Sequence, residues 1–232
     1  MFKMRYSRLE ALPGIGNEGI SRLRNAKVLV IGCGALGSMC AMYLAASGVG
    51  RVAIADFDTV DISNLQRQLF FAESHLGLPK VSVLAQRIRE INSETEVELF
   101  PFLINESKAG EIFPGFDFII DGSDNPSTKA ITASVCQRLS IPYCIGGVRE
   151  FSGQVMSWAS GHAGYADLFG DVASASAMMP CASGGVLGPA AGVVASVQAA
   201  EAIKHLTGAG KMLYDKILCF DLADCSAGVL GF

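Results

Sequence analysis

Charged residues are scarce in this sequence. Asp, Glu, Lys and Arg make up 17% of its 232 residues, and acidic groups outnumber basic ones to give a net charge of −4 at pH 7. Such a chain lacks the basic face that phosphate backbones require, so we expect no nucleic acid partner. The mean hydropathy of +0.38 indicates that much of the surface is buried, in part against a second subunit.

Paired cysteines and membrane spans are also missing from the pattern. Seven cysteines, an odd number scattered along the chain, do not resemble a disulfide framework, and no basic-then-apolar signal segment opens the sequence. Residues 172–200 carry no charge over 29 positions, but they are mostly small and include Pro180, Pro189 and Gln198. We therefore expect a cytoplasmic protein without a membrane span, with a Gly- and Ala-rich helix in the core or a dimer interface.

A glycine-rich turn between a strand and a helix is the strongest positive signal. The apolar run 28–31 predicts a buried strand, and Gly32, Gly34 and Gly37 follow before a run of small residues. This order suits a nucleotide phosphate loop, with the phosphates facing the helix N-terminus. Asp56 follows the next predicted strand, 24 positions after Gly32, where an acid accepts hydrogen bonds from a ribose diol. The sequence predicts an adenine nucleotide site.

The polar residues that come next favour a triphosphate. Asn64 and Arg67 follow Asp56, and Lys80 stands at the head of the next predicted helix. A dehydrogenase never cleaves its pyrophosphate, whereas a triphosphate under attack needs fixed cations where charge shifts in the transition state. We therefore expect ATP rather than a nicotinamide cofactor. The alternative, two solvated surface cations, is the default for any isolated Arg or Lys.

The remaining pattern predicts an α/β fold with a Rossmann-like, mainly parallel sheet and helices on both faces. The C-terminal half loses the helices between strands, which predicts antiparallel strands that extend the sheet. The expected strands are 28–31, 51–55, 96–102, 116–120, 142–145, 148–158 and 212–222. The expected helices are 17–25, 35–47, 80–91, 106–112, 126–139 and 186–206.

Five segments together resemble the MoeB/ThiF (HesA) family, the bacterial relatives of ubiquitin-activating enzymes. They are 32–37, 56–58, 63–68, 77–80 and 121–125, in matching content, order and spacing. The resemblance covers nearly the whole chain and implies one adenylation domain. We divide it into an N-terminal arm and helix (1–26), a nucleotide-binding half (27–147) and an antiparallel extension (148–232) with a loop at 159–183.

The resemblance implies ATP-dependent adenylation of the C-terminal carboxylate of a small ubiquitin-like sulfur carrier ending in Gly-Gly. Asp124 would hold Mg²⁺ beside the phosphates, and Asn125 would bind the nucleotide or cap the following helix. Arg8 would reach the nucleotide of the other subunit in a homodimer. Cys181 would link to the carrier, or would be only a buried thiol. A separate donor would supply the sulfur.

The sequence departs from the family at its structural zinc site. The two C-x-x-C pairs fall at 164–167 and 225–228, where only Cys225 is present. One thiolate does not close a tetrahedral zinc site, and the three histidines have no spacing that replaces the missing ligands. We expect no zinc, and a 159–183 loop left mobile by the lost cross-link.

Other acceptors and roles stay open at this point. The carboxylate could belong to a small molecule, a peptide or a modified tRNA, because the missing zinc ligands set this chain apart. A non-catalytic nucleotide-binding partner of a true activating enzyme is a second alternative, opposed by the complete set of cations. A nicotinamide dehydrogenase is the third.

Overall fold

An eight-stranded sheet forms the centre of the protein in a computed structural model that describes residues 2–170 and 184–232. The strands are β1 (Lys27–Ile31), β2 (Arg51–Ala55), β3 (Glu96–Phe100), β4 (Phe118–Asp121), β5 (Tyr143–Arg149), β6 (Ser152–Trp158), β7 (Lys216–Asp221) and β8 (Ser226–Gly231). Their order is β3-β2-β1-β4-β5-β6-β7-β8. The pairs from β3 to β5 are parallel and the later pairs antiparallel. The expected fold class is confirmed.

Helices cover both faces of this sheet. They are α1 (Phe2–Arg5), α2 (Ser7–Glu10), α3 (Gly16–Asn25), α4 (Gly37–Ala46), α5 (Lys80–Ile91), α6 (Glu106–Ile112), α7 (Pro126–Leu139), α8 (Tyr165–Phe169) and α9 (Gly188–Thr207). Alternate residues of β1 enter different cores, because successive side chains of a strand point to opposite faces. Val28 and Val30 pack with α4, α5 and α9, while Leu29 and Ile31 pack with α6, α7 and α8.

Helix α9, whose first thirteen residues carry no charge, belongs to the core. Its residues Ala190, Ala191, Val194 and Ala195 are completely buried, and they pack in the same core as α4. The small side chains thus serve close helix packing inside one chain. In the described part of the protein, no helix has the length and apolarity that crossing a bilayer requires.

The C-terminal half differs from the expected elements in two places. The strand expected at 148–158 is a hairpin: β5 runs on to Arg149, and the chain turns through Glu150, which has a φ of 53°, before β6. Strand β8 was not expected. All six of its residues are exposed and two of them are glycines, so an edge strand of this kind gives no alternating apolar signal.

The N-terminal arm packs on its own chain. Tyr6, between α1 and α2, is 3% exposed, and its hydroxyl accepts a hydrogen bond of 2.8 Å from Asn92 Nδ2. Its ring lies where a Cβ on Gly48 would stand. Because both partners are distant in sequence, the local pattern around Tyr6 does not reveal the contact.

Residues 159–170 are the described part of the 159–183 loop and make defined contacts, while the mobility expected of the loop stays a prediction. The indole Nε1 of Trp158 donates to the His162 carbonyl at 2.8 Å, and His162 Nδ1 lies 2.7 Å from Asp215 Oδ2. Helix α8 follows, with Tyr165 buried. The remainder of the loop, including Cys181, lies outside the described residues.

Candidate active site at the carboxyl edge of the sheet

The glycine turn lies in the crevice between β1 and β4, where the strand order reverses. Gly32 has a φ of 85°, a conformation that glycine adopts without strain. A Cβ on Gly37 would overlap the Gly32 carbonyl oxygen, and one on Gly122 would lie 2.8 Å from the Gly37 amide nitrogen. A Cβ on Gly34 would meet only Gln68 Nε2, at 3.6 Å. Gly32, Gly37 and Gly122 are thus closely packed against backbone, whereas Gly34, in front of the α4 N-terminus, has space beside it.

Asp56 orients this turn. Its Oδ2 accepts a hydrogen bond of 2.6 Å from the Cys33 amide, and its Oδ1 accepts one of 2.8 Å from the Asp58 amide. A carboxylate offers about four lone-pair sites, so Asp56 retains acceptor capacity on its half-exposed side. That geometry suits a ribose diol.

Arg67 and Asn64 lie on a short ordered segment beside the turn. Asp61 caps the 3₁₀ turn Ile62–Asn64 by accepting from the Ser63 hydroxyl at 2.6 Å and from its amide at 2.8 Å. These bonds lower the pKa of the Asp61 carboxyl. Arg67 Nη1 donates to the Ser63 carbonyl at 3.0 Å. The guanidinium has four further N–H donors, which makes it suitable for phosphate oxygens.

Lys80 is the second cation of the crevice. It begins α5 and is 5% exposed, and its ammonium lies 3.0 Å from Asp58 Oδ2. An ammonium at a helix N-terminus is unfavourable, so the Asp58 carboxylate offsets both burial and the helix dipole. Asp58 itself is exposed.

Asp124 and Asn125 follow β4 and have different surroundings. Asn125 caps α7, because its Oδ1 accepts from the Ser127 and Thr128 amides at 2.8 and 3.3 Å. Asp124 is exposed, and its carboxylate accepts no hydrogen bond from any residue that the structure describes. A free carboxylate at the edge of a phosphate crevice fits Mg²⁺, which takes one or two protein carboxylates together with phosphate oxygens and waters.

A cavity of about 760 Å³ adjoins α7 on the face of the antiparallel strands. Its lining includes Lys129, Gly147, Gln154, Phe169, Phe220 and Ala227. Tyr165 and the run Ser226–Gly228, the segments aligned with the family's two zinc-binding pairs, also line it. The sequence did not indicate this cavity, because its walls come from segments up to about one hundred positions apart.

The sequence model of the ThiF family matches residues 6–227. The chain belongs to the ThiF family. It is 39% identical over 227 residues to MoeZ of Mycobacterium tuberculosis, named a probable adenylyltransferase/sulfurtransferase. The aligned region covers 96% of this chain but only 58% of that relative's length. The sulfur carrier protein adenylyltransferase of Thermus thermophilus is 37% identical over 228 residues, with 96% of this chain and 84% of the relative covered.

Solved structures of this fold share the whole architecture. A crystal structure of E. coli MccB with MccA-N7isoASN has a TM-score of 0.85 at 22% identity, covering 100% of this chain and 72% of that one. PaaA has a TM-score of 0.84 at 23% identity, with 99% and 73% covered. At these identities the likeness establishes the fold.

The structure brings most of the predicted ThiF site residues to one edge of the sheet. These residues all follow the carboxyl ends of three strands. The glycine turn follows β1, Asp56, Asn64, Arg67 and Lys80 follow β2, and Asp124 and Asn125 follow β4. Arg8 is exposed on α2, and none of its described contacts joins it to the crevice. Among residues 2–170 and 184–232, no group of three or more His, Cys, Asp or Glu side chains has the arrangement of a metal site.

Proposed function

We propose that this ThiF-family protein is an ATP-dependent adenylyltransferase acting on the C-terminal carboxylate of a small ubiquitin-like sulfur carrier that ends in Gly-Gly. A carboxylate oxygen attacks the α-phosphorus of ATP, and the bond from that phosphorus to the bridging oxygen of the β-phosphate breaks. The products are an acyl-adenylate and pyrophosphate. The observation that carries this proposal is the group Arg67, Lys80 and Asp124 around the glycine turn.

Each residue of the crevice has a role that its geometry suits. The backbone of Gly32, Gly34 and Gly37 and the α4 N-terminus receive phosphate oxygens, and Asp56 binds the ribose. Arg67, Lys80 and Asn64 donate to the phosphates, where negative charge shifts during the reaction. Asp124 holds Mg²⁺, which neutralises phosphate charge when bound. Asn125 fixes the start of α7 and thereby Asp124. The first step needs no nucleophilic side chain.

The acceptor reaches the α-phosphorus through the cavity beside α7. The cavity walls are predominantly apolar. Lys129, which lines the cavity, also donates to the carbonyl of Ser123, the residue before Asp124. An extended chain end with small terminal residues suits this passage. A short peptide acceptor is the second candidate, since a cavity of about 760 Å³ also has room for one. Cys181, outside the described residues, is the proposed site of any covalent carrier linkage, with sulfur supplied by a separate donor.

We propose a cytoplasmic homodimer in which Arg8 of each subunit completes the site of the other. Exposed apolar side chains around the crevice, among them Phe57, Leu69 and Leu78 at 62%, 68% and 47% exposure, support burial against a second copy. The helix α9 does not, because its small residues are already packed inside the chain. The free thiols of the described cysteines are consistent with a reducing compartment.

ATP–pyrophosphate exchange tests the proposed reaction. With Mg²⁺, ATP and labelled pyrophosphate, we expect exchange when the matching carrier is added, and none with a carrier that lacks its terminal glycine. A synthetic peptide of the carrier's last residues separates the two candidate acceptors. Tight binding of NADH without binding of ATP would exclude the proposal.

A further inference from the structure

Lys129 connects three elements that meet behind the crevice. Its ammonium lies 3.3 Å from Asp121 Oδ1 at the end of β4 and 2.7 Å from the Gly146 carbonyl on β5. It also donates to the Ser123 carbonyl at 2.5 Å. An ammonium has three N–H donors, so these three acceptors satisfy it.

This arrangement is buried and complete. Lys129 is 9% exposed and Asp121 is 0% exposed. The second oxygen of Asp121 accepts from the Thr132 hydroxyl at 2.7 Å, and its first oxygen also accepts from the Ser123 amide. Buried ion pairs add little net stability because desolvation offsets their attraction, but they hold a defined geometry. The main effect of this ion pair is to fix the position of the neighbouring backbone.

The backbone that Lys129 holds belongs to both halves of the proposed reaction. Ser123 directly precedes Asp124, the proposed metal ligand. Gly146 directly precedes Gly147, which lines the acceptor cavity, and Lys129 itself lines that cavity. One ammonium therefore sets how far the Asp124 turn stands from the wall along which the acceptor carboxylate arrives.

We propose that Lys129 is a positioning residue for adenylyl transfer, which fixes the Asp124 turn relative to the acceptor wall. The proposal rests on the proposed function. Misplacement of reacting groups by about 1 Å costs about a hundredfold in rate. Loss of Lys129 should thus reduce kcat and weaken the binding of Mg²⁺ at the site, while ATP contacts at the glycine turn persist.

Three variants separate positioning from stability. Lys129→Met removes the ammonium at similar length. Lys129→Arg keeps the charge, but its planar fork fits three convergent acceptors poorly. Thr132→Val is the matched control: it removes a hydrogen bond to the same Asp121 without touching Ser123 or Gly146.

The first measurement is ATP binding by calorimetry across a Mg²⁺ series, which needs no acceptor. If the wild-type protein binds no ATP, the proposed function fails, whatever Lys129 does. If it binds, we expect Lys129→Met to require about tenfold more Mg²⁺ for the same ATP affinity. This is the loss of metal affinity expected when a carboxylate ligand is displaced. The Mg²⁺ requirement of Lys129→Arg should lie between those of wild type and Lys129→Met. Thr132→Val should have the Mg²⁺ requirement of wild type but a lower melting temperature.

The second measurement is exchange at saturating ATP and Mg²⁺. We expect kcat to fall about tenfold or more in Lys129→Met, and to recover partly in Lys129→Arg. A Mg²⁺ dependence and kcat of wild type in Lys129→Met would overturn the proposal, as would the same Mg²⁺ shift in Thr132→Val. If Lys129→Met does not fold, wild-type behaviour of Lys129→Arg in both measurements overturns it.

Discussion

The crevice and the cavity are neighbours that are built in opposite ways. The crevice is polar, and short turns fix part of it, as Asp61 holds Ser63 and Asn125 holds the start of α7. The cavity is predominantly apolar, and its walls come from four strands, the start of α7 and the short helix α8. Under the proposed function, the chemistry takes place between the polar turns, whereas acceptor recognition depends on the antiparallel half.

The largest effects should come from the cations and the carboxylate of the crevice. We expect Arg67→Ala or Asp124→Ala to reduce exchange about a hundredfold or more, the size of losing one electrostatic stabiliser. The melting temperature should change little, since both side chains are at least partly exposed. Arg138→Ala, which breaks only a surface ion pair with Glu106, is the control. Near-normal exchange in either variant would remove that residue from the mechanism.

Mixing two inactive variants tests whether the crevice is complete within one chain. If Arg8 acts on the other subunit, mixed dimers of Arg8→Ala and Arg67→Ala contain one doubly altered site and one intact site, so activity returns to part of the sites. If Arg8 acts within its own chain, every site carries one lesion and the mixture stays inactive. A monomer at micromolar concentration in ultracentrifugation would exclude the dimer.

Filling the cavity should affect the acceptor and spare the nucleotide. Ala227→Trp places a large ring on the cavity wall. We expect the affinity for the acceptor to fall about tenfold, equivalent to 1.4 kcal/mol, with an unchanged Kd for ATP. Leu230→Trp, on the same strand but outside the cavity lining, is the control. A matching loss of ATP affinity would show that crevice and cavity are not separate units.

A smaller effect concerns pH and His205. Burial against Phe118 lowers the pKa of this imidazole, so the unfolded chain takes up the proton first as pH falls below about 6.5. Folding stability should therefore decrease as pH falls through that value, by at most about 1.4 kcal/mol per pH unit for one proton. Urea unfolding of wild type and His205→Gln between pH 7.5 and 5.5 isolates the contribution of His205 to the pH dependence of the unfolding free energy. Parallel pH profiles would contradict the assignment.

No effect at all is expected from zinc chelation. With three of the four cysteines replaced, protein prepared without chelators should contain no stoichiometric zinc, and EDTA should leave the melting temperature unchanged. Plasma emission spectroscopy measures the metal content. One zinc per chain would show that the alignment of residues 164–167 and 225–228 is wrong.

The two regions also differ in how far the sequence predicts them. Gly32 and Asp56 directly follow β1 and β2, and Asn125 caps α7, so their places at strand ends and a helix start follow from local pattern. Tyr6 and Lys129 act through partners that only the folded chain brings near. Strand β8, exposed along its length, lacks the alternation that burial imposes. Long-range packing, rather than any local signal, places these elements.

The anchored Tyr6 limits the distance that Arg8 can span in the proposed homodimer. Arg8 stands two positions beyond a side chain fixed against Gly48 and Asn92, and two helical residues advance the chain by only about 3 Å. The guanidinium can therefore sweep little more than one arginine length around that anchor. If Arg8 touches the triphosphate of a neighbouring subunit, that subunit's α4 N-terminus must lie close to this radius. Only a small set of two-fold dimer arrangements meets this condition.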